Sequence, residues 1–135
     1  MSYRVIAHTA DTGIEASGTT IEELFVNAAR GMFSLMYEPA DITMEPLPVR
    51  ATGATVEDLL VDWLSELLFV SESKEVAFSR FAVLDLSHGT LSGEASGVPY
   101  GSARLSGPPI KAVTYHQLEL AETDEGWHAR VIFDV

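Results

Sequence analysis

The chain has 135 residues, 47% of them hydrophobic, with 20 Asp and Glu against 8 Lys and Arg for a formal charge of −12. That length suits one domain, spanning 1–135, with a real core. The charge disfavours direct nucleic-acid binding, which needs clustered Lys and Arg, and fits a basic partner protein, a divalent cation or plain solubility.

No cysteine is present, so disulfides and thiolate metal sites are excluded. Met1-Ser2-Tyr3-Arg4 lacks a signal-peptide pattern, and the apolar run Leu67–Val70 is too short to span a bilayer. The expectation is a soluble, cytoplasmic protein with no membrane association.

Residues 3–8 alternate and predict a first strand. The segment from His8 to Gly13 predicts a turn, with Gly13 supplying positive φ. A second strand over 14–18 follows, with Ile14 and Ala16 on one face, and a short antiparallel hairpin is the economical arrangement. Thr19 with Glu22, or Thr20 with Glu23, then forms a capping box. Apolar residues at 21, 24, 25, 28, 29, 32, 33 and 36 predict an amphipathic helix over about 20–36, with Ala28 and Ala29 allowing close approach to a sheet. A Pro-rich acidic loop over 37–48 leads to a short strand at 49–53. Thr55 opens a second helix over about 55–72, with its stripe at 56, 59, 60, 63, 64, 67 and 68 and its acidic residues on a solvated face.

From Val76 the period becomes two. Strands at 77–86 and 91–98 join at Ser87-His88-Gly89, and a bulge is expected near Phe81. Residues 99–109 read as a surface loop, 112–120 as a strand and 123–126 as a turn. The last ten residues form a strand running to the terminus, with Trp127, Ala129, Val131 and Phe133 on one face. Two helices against six to eight mostly antiparallel strands predict an α+β fold.

Three constellations could carry chemistry. Asp134 and the terminal carboxylate of Val135 are adjacent anions that tolerate proximity when water screens them or a cation lies between them. If the two chain ends meet, Asp11 joins them, and three oxygen donors suit a hard ion such as Ca²⁺ or Mg²⁺. Asp11 equally fits an Asx-turn and Asp134 a solvated strand end. Lys111, before a strand, could neutralise carboxylates or grip a phosphate, or stand as an ordinary strand-edge lysine. His8, His88, His116 and His128 lack the helical i, i+4 spacing of a zinc site, so structural roles outweigh proton shuttling. Nucleophile-elbow and phosphate-loop motifs are absent. A stand-alone metal-dependent hydrolase would need these carboxylates plus a base, His8 or His116.

Four segments together resemble one family. His8-Thr9-Ala10-Asp11-Thr12-Gly13, Asp58 to Phe69, Ile110-Lys111-Ala112-Val113-Thr114-Tyr115-His116, and Gly126-Trp127 through Asp134-Val135 are similar, in order, to the archease signature. The resemblance implies an accessory protein, not an enzyme, that activates the RtcB-type RNA ligase of tRNA splicing. It promotes guanylylation of the ligase's histidine from GTP and restores turnover. It also implies a divalent cation, Ca²⁺ with Mg²⁺ as the alternative, held by Asp11, Asp134 and Val135, and an activating role for Lys111. Thr12, where aliphatic residues are commoner, and the compressed Ser102–Pro109 depart from the pattern.

Overall fold

A computed structural model describes residues 2–7 and 12–135 of the chain. In chain order its elements are β1 (Ser2–Ala7), β2 (Thr12–Gly18), α1 (Ile21–Ser34), β3 (Leu47–Thr52), α2 (Val56–Lys74), β4 (Val76–Ser87), β5 (Thr90–Pro99), β6 (Ala112–Thr123) and β7 (Gly126–Asp134). The strands form two sheets, ordered β1-β2-β7-β6 and β3-β5-β4, and every pairing is antiparallel. Both helices pack on these sheets, which is the expected α+β class. No helix among the described residues is long and apolar enough to cross a membrane.

Each helix begins where a threonine can satisfy free amides. Of the two capping boxes, the chain uses Thr20: its hydroxyl accepts from the Glu23 amide at 3.1 Å, while Glu22 and Glu23 lie in the positively polarised first turn. Leu24, Phe25, Ala28, Ala29, Met32 and Phe33 are buried, as the stripe requires. Asn27 is buried among them because its Nδ2 donates to the Ser17 carbonyl at 2.8 Å, tying α1 to β2. α1 ends at Ser34, two residues earlier than the stripe suggests. Leu35 and Met36 instead donate to Met32 and Phe33, three residues back, in a tighter closing turn.

On α2, Thr55 accepts from the Asp58 amide at 3.1 Å. The helix runs past 72 to Lys74 and closes on Glu75 in the left-handed conformation, φ 56°. Ser71 and Ser73 fit in its last turns because their hydroxyls donate to the carbonyls of Val76 and Phe69, at 2.6 and 2.7 Å. Trp63 is fully buried at the centre, and its Nε1 donates to the Phe25 carbonyl at 3.1 Å, joining the helices. Phe33 meets Phe78 and Phe81 with ring centroids 5.7 and 5.4 Å apart, joining α1 to β4.

Close approach shapes one sheet and irregular pairing shapes both. Gly13 does not supply positive φ in a turn. It lies inside β2, paired with Ile6 on one side and Ile132 on the other. A Cβ there would stand 2.4 Å from the Val131 carbonyl oxygen and 2.8 Å from Ile132 Cδ1. Glycine is required for close approach of β2 to β7. The turn glycines are Gly89 and Gly126, with φ of 75° and 117°.

β4 shifts register between Phe78 and Arg80 and again between Val83 and Asp85, on either side of Phe81. β6 carries a larger irregularity. Between the pairs Thr114–Ile132 and Glu119–Arg130, four residues of β6 face only Val131 of β7.

Candidate functional site

β7 is an inner strand flanked by β2 and β6. Ala129, Val131 and Phe133 are buried in the core, and Ile132 is buried on the opposite face. Those contacts fix the strand almost to its end. The chain then emerges into solvent: Asp134 is exposed, and Val135 is 49% exposed.

The register carries one other candidate, Lys111, to this point. The Lys111 amide donates to the Asp134 carbonyl at 2.8 Å, and Ala112 pairs with Asp134. Lys111, Asp134 and the terminal carboxylate are therefore adjoining, with the Lys111 side chain exposed. From the other side Thr12 pairs with Phe133, one residue before Asp134. Asp11 precedes Thr12 in the sequence; it and His8 lie outside the described residues. Among the described residues no group of three His, Asp or Glu is placed to hold a metal. The expected ligand set draws on Asp11 and on a main-chain terminus. The donors that are described, two carboxylates on consecutive exposed residues, have the hard-oxygen chemistry of a Ca²⁺ or Mg²⁺ site.

Among the described residues the histidines do not converge. His88 occupies the β4–β5 turn with φ 52°. His116 is exposed in the β6 irregularity, and His128 is exposed opposite Ala121 and Ser17.

The acidic residues of α2 need a correction. Asp58 and Asp62 are half-buried and engaged, not simply solvated. Asp62 Oδ2 accepts from the Thr52 amide at 2.8 Å, and Asp58 Oδ1 accepts from the Tyr115 hydroxyl at 2.7 Å. The second bond is made possible by the extra residues of β6, which bring Tyr115 over α2. It pushes the Tyr115 phenol above the ordinary tyrosine range, with the neighbouring Asp62 charge adding to the effect. Gln117, in the same stretch, takes a left-handed conformation with φ 51°, and its Oε1 accepts from Arg130 at 3.3 Å.

Beside Lys111 lies an open groove of about 830 Å³. Its floor is Met36, Leu68 and Ile110; Tyr37 and Tyr100 form one wall, and Phe69 and Glu72 stand on α2. The two tyrosine rings stack, 5.9 Å between centroids, and burial together with the Tyr100 hydroxyl pushes the Tyr37 phenol up. Sequence reasoning missed this groove. The available signal was Phe69, an aromatic residue off the stripe of α2, and it is 66% exposed.

Comparison with known proteins agrees with this fold. Residues 3–135 match the model of the Archease protein family (MTH1598/TM1083). The chain belongs to the archease family. "Protein archease" of Methanosarcina acetivorans is 39% identical over 139 residues, covering 98% of this chain and 95% of the relative. Its Methanosarcina mazei counterpart is 40% identical with the same coverage. Among solved structures, Methanobacterium thermoautotrophicum protein 1598 superposes with a TM-score of 0.84 at 35% identity, covering 99% of both chains. A Thermotoga maritima archease, described as a possible chaperone, gives 0.66 at 25% identity, covering 98% of this chain and 96% of that one.

Within this archease, three signature segments take defined places: Asp58–Phe69 is the body of α2, Ile110–His116 enters β6, and Gly126–Val135 is β7 with the terminus. The Pro-rich departure is pinned near the groove, where Leu105 bridges Tyr37 and the Ser106 hydroxyl donates to the Ser34 carbonyl at 2.7 Å.

Proposed function

We propose that this chain is an accessory activator of an RtcB-type RNA ligase, promoting guanylylation of the ligase histidine and multiple turnover in tRNA splicing and RNA repair. A divalent cation, Ca²⁺ ahead of Mg²⁺, is held by Asp11, Asp134 and the Val135 carboxylate, and Lys111 beside them is required for activation. The observation that supports this most is the 2.8 Å bond from the Lys111 amide to the Asp134 carbonyl. It joins two of the four family positions at one exposed strand end, with the terminal carboxylate as the next group. The cation supplies the positive charge that lets neighbouring carboxylates share one point. Lys111 adds a positively charged side chain at the same edge, and the net charge of −12 favours docking on a basic surface.

The test is to load a cognate ligase with GTP and follow covalent nucleotide and ligated RNA, with and without this chain. Stimulation under multiple-turnover conditions is expected, and Asp134→Ala and Lys111→Ala should each abolish it while melting as the wild type does. Absence of stimulation by the wild type refutes the reading. Turnover of phosphoesters by the isolated chain with Mg²⁺ or Mn²⁺ would replace it with the hydrolase alternative.

A further inference from the structure

The lining of the 830 Å³ groove has a pattern that points to its occupant. α2 contributes Ser65, Leu68, Phe69 and Glu72, at the spacing of one helix face, and Ser71 beside them. The opposite side is contributed by five consecutive residues, Pro109 to Val113. A strand that presented a face would contribute alternate residues. Consecutive ones mean that the main chain itself borders the groove. That chain enters β6, the outermost strand of its sheet, which has β7 on one side and no strand on the other among the described residues. The free side of an outer strand carries main-chain groups that an added extended chain can meet; the Ile110 and Lys111 amides are already given to Met36 Sδ and the Asp134 carbonyl, so the added chain meets the edge from Ala112 onward.

We propose that this groove takes an extended segment of the partner polypeptide. The segment runs alongside Pro109–Val113 and seats one aromatic or branched apolar side chain between Tyr37, Tyr100 and Phe69. The volume exceeds what one side chain fills and suits a short stretch of backbone with its anchor. Charge selects the flanks. Glu72 stands on the rim, Asp134 and the terminal carboxylate lie one residue from Lys111 across the strand pair, and the whole chain carries −12. The segment is therefore apolar at its anchor and bears Lys or Arg beside it. The proposal rests on the reading that this chain acts by binding an RNA ligase, and it locates one contact.

Two measurements on the purified chain and its cognate ligase decide it. The first is binding affinity for wild type, Phe69→Asp and Leu84→Asp. Both residues are exposed, 66% and 64%, so neither change should disturb the fold, and Leu84 lies on β4 in the other sheet. Phe69→Asp should weaken binding by about tenfold or more, as loss of an anchor contact does, and Leu84→Asp by less than about twofold. The second is amide exchange at Ala112, the first β6 residue beyond the bonded Ile110 and Lys111 amides, which should slow when the ligase is added.

If wild type binds and stimulates, yet Phe69→Asp binds equally well or exchange at Ala112 is unchanged, the groove proposal is overturned and the activator reading stands. If wild type does not bind the ligase, both fall. Slowed exchange with GTP alone, or on concentrating the chain alone, would give the groove to a nucleotide or to a second copy and also overturn the proposal.

Discussion

Gly13→Ala tests the contact that sets β2 against the strand carrying the candidate site. A methyl group there meets the Val131 carbonyl oxygen at 2.4 Å and Ile132 Cδ1 at 2.8 Å. The Ile132 methyl can rotate away, but the carbonyl belongs to an inner strand held by β2 on one side and β6 on the other. Relief therefore requires β2 to move back from β7 across a ladder that runs from Thr12–Phe133 to Gly18–Trp127. Overpacking of this kind costs about 1–3 kcal/mol, and a backbone obstacle puts Gly13 at about 3 kcal/mol, the upper end of that range. At this chain length each kcal/mol shifts the melting temperature by roughly 3–5 °C, so a fall of about 10 °C is expected by calorimetry. Gly101→Ala supplies the control. Nothing lies within 4 Å of its added carbon, and its melting should match or slightly exceed wild type, since alanine restricts the unfolded chain. Gly13→Ala melting within about 2 °C of wild type would refute the close-approach account.

Trp63→Phe removes the donor to the Phe25 carbonyl and leaves a void in a fully buried site; denaturant unfolding should show a loss of about 2 kcal/mol with an unchanged slope. Tyr115→Phe should delete one late-ionising phenol from a spectrophotometric titration. Because the fold raises that pKa, its contribution to stability is full below about pH 10 and is lost as pH rises through the folded-state value. Tyr115→Phe should therefore flatten the alkaline fall in stability, and an identical alkaline profile would count against the Asp58 bond. A polypeptide extension after Val135 converts the terminal carboxylate to an amide, so Ca²⁺ affinity by calorimetry should drop by about tenfold or more. An extension before Met1 should matter less, and undiminished affinity with the C-terminal extension would remove Val135 from the ligand set.

The helices were legible because their signals are local. Thr20 with Glu23 and Thr55 with Asp58 name their own caps, and the buried positions of α1 and α2 repeat at helical spacing. The β4–β5 hairpin was legible for the same reason, since His88 and Gly89 supply the two positive φ values that its turn needs. What failed had two compatible local readings. A glycine after a suspected turn reads as turn chemistry, and nothing near Gly13 in sequence announces the Val131 carbonyl 2.4 Å away. Asp58 and Asp62 read as solvated because their donors, Tyr115 and Thr52, come from other elements.

The candidate site shows where local reading stops. Counting back from the β6–β7 turn, where Thr123 pairs with Gly126 and Glu119 with Arg130, a regular ladder would set Asp134 opposite Tyr115. Lys111 would then overhang the chain end by several residues, at about 3.3 Å each. The irregularity at Tyr115–Leu118 absorbs three extra residues and sets Asp134 opposite Ala112 instead. A slip of roughly 10 Å along the strand is thus what brings Lys111 to the terminal carboxylates. The alternation across 112–120 gives no sign of it. The bond from Tyr115 to Asp58 and the left-handed Gln117 held by Arg130 fix the slip in place. Each of these partners lies at least 13 residues away in sequence. The residue types of the chain end are plain in the sequence, whereas the main-chain meeting of Lys111 with Asp134 depends on a strand irregularity that tertiary contacts determine.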